Sequence, residues 1–348
     1  MIKKNLLIFS LLVFLLFPVF LKKGVCAKIV PLPDLKQAET ILVDDNQLYI
    51  TEKASVYIYS LKNLKLKKTF GRKGEGPAEF KITVYRGLFL LLRKNYLVVD
   101  SYGRLSFFTK DGQFKAEFKT MPTVGKYVSL GVKLVGLGFK QYDKLNYFTF
   151  TIFDYKANDK KEIYRYKHPY QPRRHYNPLE TTRLPSYVTY DNKLYLRGEK
   201  NTILVFDDTG KTLAPIRFPY HEVKLTGKHK NYYITWYKTD PKFKPIYERD
   251  KRWIQFPDYF PVIRDFIIAD EKIYVLTYEM KDGKNRLLEL NPNGQLLQEA
   301  FIPLEEENAF RLFPYTVKGG MLYQVLENEE EEIWELHIHP VSPSLVNQ

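Results

Sequence analysis

One short phrase, recurring along the chain, constrains the fold more than any other feature. It is a polar turn followed by a Tyr- or Val-rich strand. The first two copies are Asp45-Asn46-Gln47-Leu48-Tyr49-Ile50 and Lys94-Asn95-Tyr96-Leu97-Val98-Val99. Asp191-Asn192-Lys193-Leu194-Tyr195-Leu196 and Asp270-Glu271-Lys272-Ile273-Tyr274-Val275 follow, then Gly319-Gly320-Met321-Leu322-Tyr323-Gln324. A weaker copy, Val132-Lys133-Leu134-Val135-Gly136, sits between the second and third clear ones. Self-similarity at a period of roughly 50 residues marks a supersecondary unit that cannot bury its apolar faces alone.

Each clear copy is preceded by an apolar stretch (41–43, 88–92, 187–190, 266–269, 313–317). Alternating strands such as Val56-Tyr57-Ile58-Tyr59 and Ile203-Leu204-Val205-Phe206 follow. Next come turns such as Lys110-Asp111-Gly112, Asp208-Thr209-Gly210 and Asn291-Pro292-Asn293-Gly294, whose glycines supply the positive φ of tight hairpins. A further strand, such as 113–119 or 295–302, completes the unit. Four short antiparallel strands per unit, six units in all, predict an all-β six-bladed β-propeller. The third unit fits with distortion, its third strand at 147–155 and its turn at 156–159. The alternative is a β-sandwich whose strands resemble one another by accident. The last unit runs into Pro340 and Pro343 one strand short, so 28–33 is expected to supply the missing strand and close the ring.

Such a meander sorts its loops by face. Turns between first and second, and between third and fourth strands, lie on one side and are short. Second-to-third turns and the links between units lie on the other, with every elaboration: 71–80, 122–126, 168–185, 219–261 and 327–332. A binding site is expected on that built-up face or at the channel mouth. The long excursion 219–261 reads as an insertion between the fourth and fifth blades. Its stretch 230–238 suits helix or strand equally.

Residues 1–27 read as an export signal. Lys3 and Lys4 precede an apolar run over 6–21, and Val25-Cys26-Ala27 offers a cleavage site. Lys22 and Lys23 behind the run leave an uncleaved anchor as the alternative; after cleavage no membrane span is expected. Cleavage removes the single cysteine, Cys26, which excludes disulfides and thiol catalysis from residues 28–348. The formal net charge is +14. Loss of the signal lysines lowers it to about +10, still a balance that favours anionic partners.

The segment Phe70-Gly71-Arg72-Lys73-Gly74-Glu75-Gly76-Pro77-Ala78-Glu79-Phe80 resembles the signature of bacterial secreted six-bladed β-propellers related to NHL and TolB-type propellers. The segment Phe256-Pro257-Asp258-Tyr259-Phe260-Pro261 with Ile273-Tyr274-Val275-Leu276-Thr277-Tyr278 is similar to that group's fifth blade. The resemblance covers nearly all of the chain beyond residue 27. It implies the fold and a periplasmic or extracellular location, not an activity.

Candidate chemistry is sparse. Gly71, Gly74 and Gly76 fit neither a dinucleotide fingerprint nor a P-loop, since Lys73 precedes the glycines it would have to follow. His337 and His339 point to one face of a strand, with Glu335 beside them, too few ligands for a closed metal site. Glu327 and Glu329–Glu332 form an acidic loop. No G-x-S-x-G, H-E-x-x-H or Asp-rich calcium loop is present, and the expected channel strands are mostly apolar, with Arg264, Asp265 and Arg311 as exceptions. Basic–aromatic stretches at 165–183 and 228–252 suit anionic partners. The sequence therefore predicts an exported, non-catalytic binding or scaffold propeller without cofactor or metal. It would recognise a protein or glycan, and export disfavours nucleic acid. Arg72, Lys73, Tyr102, Arg104, Arg173, Arg174, Arg183, Trp236 and Trp253 are the candidate ligand contacts. The alternative is a metal-dependent propeller hydrolase or lyase with its site in the central channel.

Overall fold

The computed structural model describes residues 28–83, 87–93, 95–120, 125–154, 160–171, 175–181 and 184–341. The expected signal at 1–27 and turn at 156–159 lie outside them. Six four-stranded antiparallel sheets make up the fold. Their innermost strands are Thr40–Val43, Phe89–Arg93, Tyr127–Leu130, Tyr187–Tyr190, Asp265–Ala269 and Tyr315–Lys318. Each lies against the next, and the sixth lies against the first, so the ring is closed. This is a six-bladed β-propeller.

Alternating sequence makes these strands, and both faces of most blades are apolar because each blade packs between two others. The buried core accordingly divides by junction. Val43, Ile50, Trp334 and Leu336 join blade six to blade one, and Val56, Ile58, Val99 and Phe108 join one to two. Val98, Leu105, Leu134 and Phe153 join two to three, and Leu137, Phe150, Leu194 and Phe206 join three to four. Val205, Ile216, Val275 and Leu288 join four to five, and Leu276, Leu287, Val317 and Leu322 join five to six. Burying each such side chain is worth about 1.5–3 kcal/mol, so the junctions hold the ring together.

The ring closes as the repeat predicts. Lys28–Pro31 pairs antiparallel with Ile333–Pro340, Lys28 opposite Ile338 and Pro31 opposite Glu335. Beyond the strand, the Leu32 N–H donates to the Trp334 carbonyl at 2.7 Å, and the Trp334 indole N–H to the Lys36 carbonyl at 2.9 Å. Blade three is distorted by length: Lys133–Tyr142 and Leu145–Phe153 form a long hairpin, and the latter strand begins two residues earlier than the sequence suggests.

Between Arg217 and Asp265 the chain leaves the ring. Helix α1, Gly227–Thr239, is capped by Thr226, whose side chain accepts the His229 N–H while His229 reaches back to the Thr226 N–H. It ends at Asp240, which is extended because Pro241 follows. A second helix, α2, Lys244–Asp250, starts with Pro245 in its first turn. The stretch 230–238 is therefore helical. Tyr233 and Tyr237 are the buried face of α1 and pack with Tyr176, Leu225, Phe260 and Phe310. That cluster ties the excursion to the links on either side of it.

Candidate functional site

The glycine-rich link between blades one and two is a self-closed buckle. Phe80 is fully buried among Phe70 and Phe108. Its N–H donates to the Arg72 carbonyl at 2.8 Å, and its carbonyl accepts the Gly74 N–H at 3.2 Å. Gly71, at φ +89°, has no room for a Cβ, which would lie 2.3 Å from the Phe80 ring. The Glu79 carboxylate fills the hollow that the glycines leave: it accepts the Gly76 N–H at 2.8 Å and pairs with Arg72 at 2.7 Å. These bonds, the Gly76 amide first, hold Glu79 below the usual carboxylate range. The chain's own carboxylate thus sits where an anion would sit in a phosphate loop.

Of the predicted contacts on this side, Arg72 is engaged with Glu79, although its side chain remains 82% exposed. Arg104 ties the buckle to blade two, donating to the Glu75 carbonyl at 2.7 Å and pairing with Glu117 at 3.2 Å. Lys73 and Tyr102 are exposed. On the insertion, Trp236 is half-buried against Phe243 and Phe310, and Trp253 is half-buried with the Arg252 guanidinium 5.2 Å from its ring centre. Arg173, Arg174 and Arg183 lie outside the described residues. The outer surface of the insertion carries exposed Lys228, Lys238, Lys242, Lys244, Lys251 and Arg252.

His337 accepts or donates a hydrogen bond with Glu335 at 2.9 Å, and the His339 ring is centred 6.2 Å away. Hydrogen bonds from Asn328 and then His337 lower the Glu335 carboxyl; burial lowers His339. Among the described residues, no three His, Cys, Asp or Glu side chains converge on a point that could hold a metal ion.

The central channel encloses about 710 Å³. Ile41, Leu42, Leu90, Val188, Ile267 and Val317 make its wall largely apolar. Polar groups gather where the chain enters the innermost strands from the built-up face. Lys126 immediately precedes the third blade's innermost strand, Ser186 the fourth's and Arg264 the fifth's, which Asp265 begins. Arg264 is buried, donating to Asn285 at 2.8 Å and pairing with Glu306 at 2.5 Å, with Tyr278 under its guanidinium. The Asp265 carboxylate accepts the Phe266 N–H at 2.8 Å and the Tyr315 hydroxyl at 2.7 Å. Lys126 lines the cavity 5.8 Å from the centre of the Tyr187 ring, whose hydroxyl donates to the Lys126 carbonyl. Burial lowers the Lys126 ammonium from the ordinary lysine value, and the negative charge of Asp265 opposes that only in part.

No protein-family model and no curated protein matches this sequence. Among solved structures the chain is similar to a member of the DUF4221 family from Bacteroides vulgatus, at 13% identity and a TM-score of 0.48, covering 90% of this chain and 97% of that one. It is also similar to a luciferin-regenerating enzyme, at 10% identity and a TM-score of 0.43, over 91% and 96% of the two chains. A third likeness is to BamB from Moraxella catarrhalis, at 12% identity and a TM-score of 0.32, over 86% and 71%. The assignment of six blades rests on this chain's own sheets and their closed order.

Arg264 and Asp265 stand out in the sequence because they interrupt an apolar strand. Lys126 does not, since it ends a link between blades and reads as one more surface cation. Its position in the repeat is the signal that was available: like Arg264, it directly precedes an innermost strand.

Proposed function

We propose that this chain is an exported binding or scaffold propeller that recognises an anionic partner, a glycan or an acidic protein surface, through its built-up face. The observation that carries this reading is the insertion. Helix α1 commits Tyr233 and Tyr237 to packing on the face, and turns Lys228 and Lys238 outward together with Lys242 and Lys244 from the following segment. A rigid mount beneath a predominantly basic outer surface, on which Glu248 pairs with Lys251, suits recognition, because the cations are positioned before the partner arrives and draw it in over a Debye length. Lys73 and Tyr102 on the blade one–two link, and the free edge of Trp253, extend the contact surface in this reading. Arg72 and Arg104 would serve it by holding that link in shape.

The test is retention of residues 28–348 on immobilised heparin, used as the polyanionic probe, against a Lys228→Glu, Lys238→Glu, Lys242→Glu variant. The expected outcome is elution of the variant at markedly lower salt with an unchanged Tm, since all three side chains are exposed. Equal retention of the two proteins would sink this reading.

A further inference from the structure

We propose that the central channel is a capture site for a small carbonyl compound, with the Lys126 amine as the nucleophile that forms an imine with it. The geometry sets Lys126 apart. It lines a cavity of about 710 Å³, roomy enough for a small organic molecule, yet among the described residues its amine has no hydrogen-bond or ion-pair partner. Exposed lysines on this chain, by contrast, include many with a carboxylate within reach, such as Lys67, Lys140 and Lys251.

The rest of the wall offsets it only in part. Besides Lys126, the channel carries Asp265, Asp270, Lys318, Tyr187, Tyr190 and Tyr315. Asp270 and Lys318 pair with each other at 3.0 Å. Both oxygens of Asp265 accept hydrogen bonds, from Phe266 and Tyr315, and its charge acts on Lys126 without an ion pair between them. The Tyr187 hydroxyl is turned to the Lys126 carbonyl. Lys126 is partly buried in the channel wall without an ion pair among the described residues, and burial favours its uncharged form, which carries the lone pair needed for attack, more than the charge of Asp265 opposes it.

The step balances without an oxidant or reductant. The nitrogen lone pair forms a C–N bond as the carbonyl π pair moves to oxygen. One proton leaves nitrogen for that oxygen through water in the channel, and the second nitrogen proton follows by the same route, so that the hydroxyl departs as water while the nitrogen lone pair closes the C=N bond. Hydrolysis reverses it. The inference stands apart from recognition at the loop face, since it uses none of the insertion's lysines.

Residues 28–348 are treated with glyoxylate as the probe and cyanoborohydride to reduce any imine, and adducts are mapped by peptide mass spectrometry. At pH 7 the adduct on Lys126 is expected at least about tenfold faster than on exposed Lys228 and Lys242, a ratio that shrinks towards pH 10 as surface amines also lose their protons. The comparison is made within the wild-type chain, so it does not depend on a variant folding. A Lys126→Met variant with wild-type Tm should retain glyoxylate only on surface lysines. Labelling of Lys126 no faster than Lys228 at pH 7, or a ratio that does not change with pH, would overturn the proposal.

Discussion

Glu39 ends the link that leads from the closing strand into blade one, and its carboxyl is in an awkward place. One oxygen is buried without a hydrogen-bond partner, packed where Gly87 leaves space. Burial raises its pKa above the usual 4.5, more than the Lys53 amide and Arg311 lower it. The sign follows from linkage. A carboxyl whose folded pKa lies above its unfolded value costs the folded state nothing below the unfolded pKa. The penalty grows as pH rises towards the folded pKa and stays constant above it. Glu39→Gln is therefore expected to raise Tm at pH 7 by about a degree, on the order of half a kcal/mol for a half-buried group, and to leave Tm unchanged near pH 4. A Tm difference independent of pH, measured by thermal unfolding at both values, would contradict this. Nothing in the residues around Glu39 announces its burial, because a glutamate in a polar link is ordinarily solvated. Glu79 is the opposite case: its neighbours in sequence supply the bonds that lower it.

At the scale of the element, the hairpin glycines have a second duty that the repeat alone does not reveal. Gly112, Gly210 and Gly294 all hold positive φ in the turn before a blade's outer strand. Each also abuts the preceding blade: a Cβ would meet Phe70 and Ile58 at Gly112, Ile163 and Ile152 at Gly210, and Ile216 at Gly294. Lys68 and Lys161 reach across the same junctions to the turn carbonyls of Gly112 and Thr209. The glycine is thus required by the turn and by the neighbouring blade together. Gly210→Ala, whose Cβ would lie 2.2 Å from Ile163, should destabilise the protein by about 1–3 kcal/mol in denaturant unfolding. Pairing it with Ile163→Ala should relieve the clash but not the backbone strain, so recovery would be partial. No loss of stability in Gly210→Ala would refute close packing at that junction.

For the whole molecule, closure depends on a strand far from its partner in sequence. Lys28–Pro31 covers the edge of Ile333–Pro340, and Leu32, Leu35 and Ala38 then enter the core between blades six and one. Removing residues 28–33 exposes that edge and the Trp334 contact, so a loss of several kcal/mol is expected, with a lower Tm and self-association through the open strand. Thermal unfolding and light scattering would show both. A truncated chain as stable and monomeric as the full one would mean that the ring does not rely on this strand.

The blades, their order and their closing strand were legible in the sequence because each rests on a local rule repeated many times. Period-two alternation marks the strands, Asp-Gly and Asn-Gly mark the turns, and a unit one strand short at the C-terminal end asks for its complement at the other end. The helical state of 230–238 was not legible, since a run as aromatic as Tyr232–Tyr237 suits either state and only packing on Tyr176 and Phe310 selects the helix. The built-up face followed from loop length alone, whereas the bonds of Arg104 to Glu75 and Glu117 and the place of Lys126 in the channel wall follow from tertiary contacts. The sequence by itself determined the repeated fold and the face that carries its loops. Which cations meet solvent, which are spent on bonds between blades and which line the channel was decided only in three dimensions, because the distance of a charge from water, and many of its partners, come from residues remote in the chain.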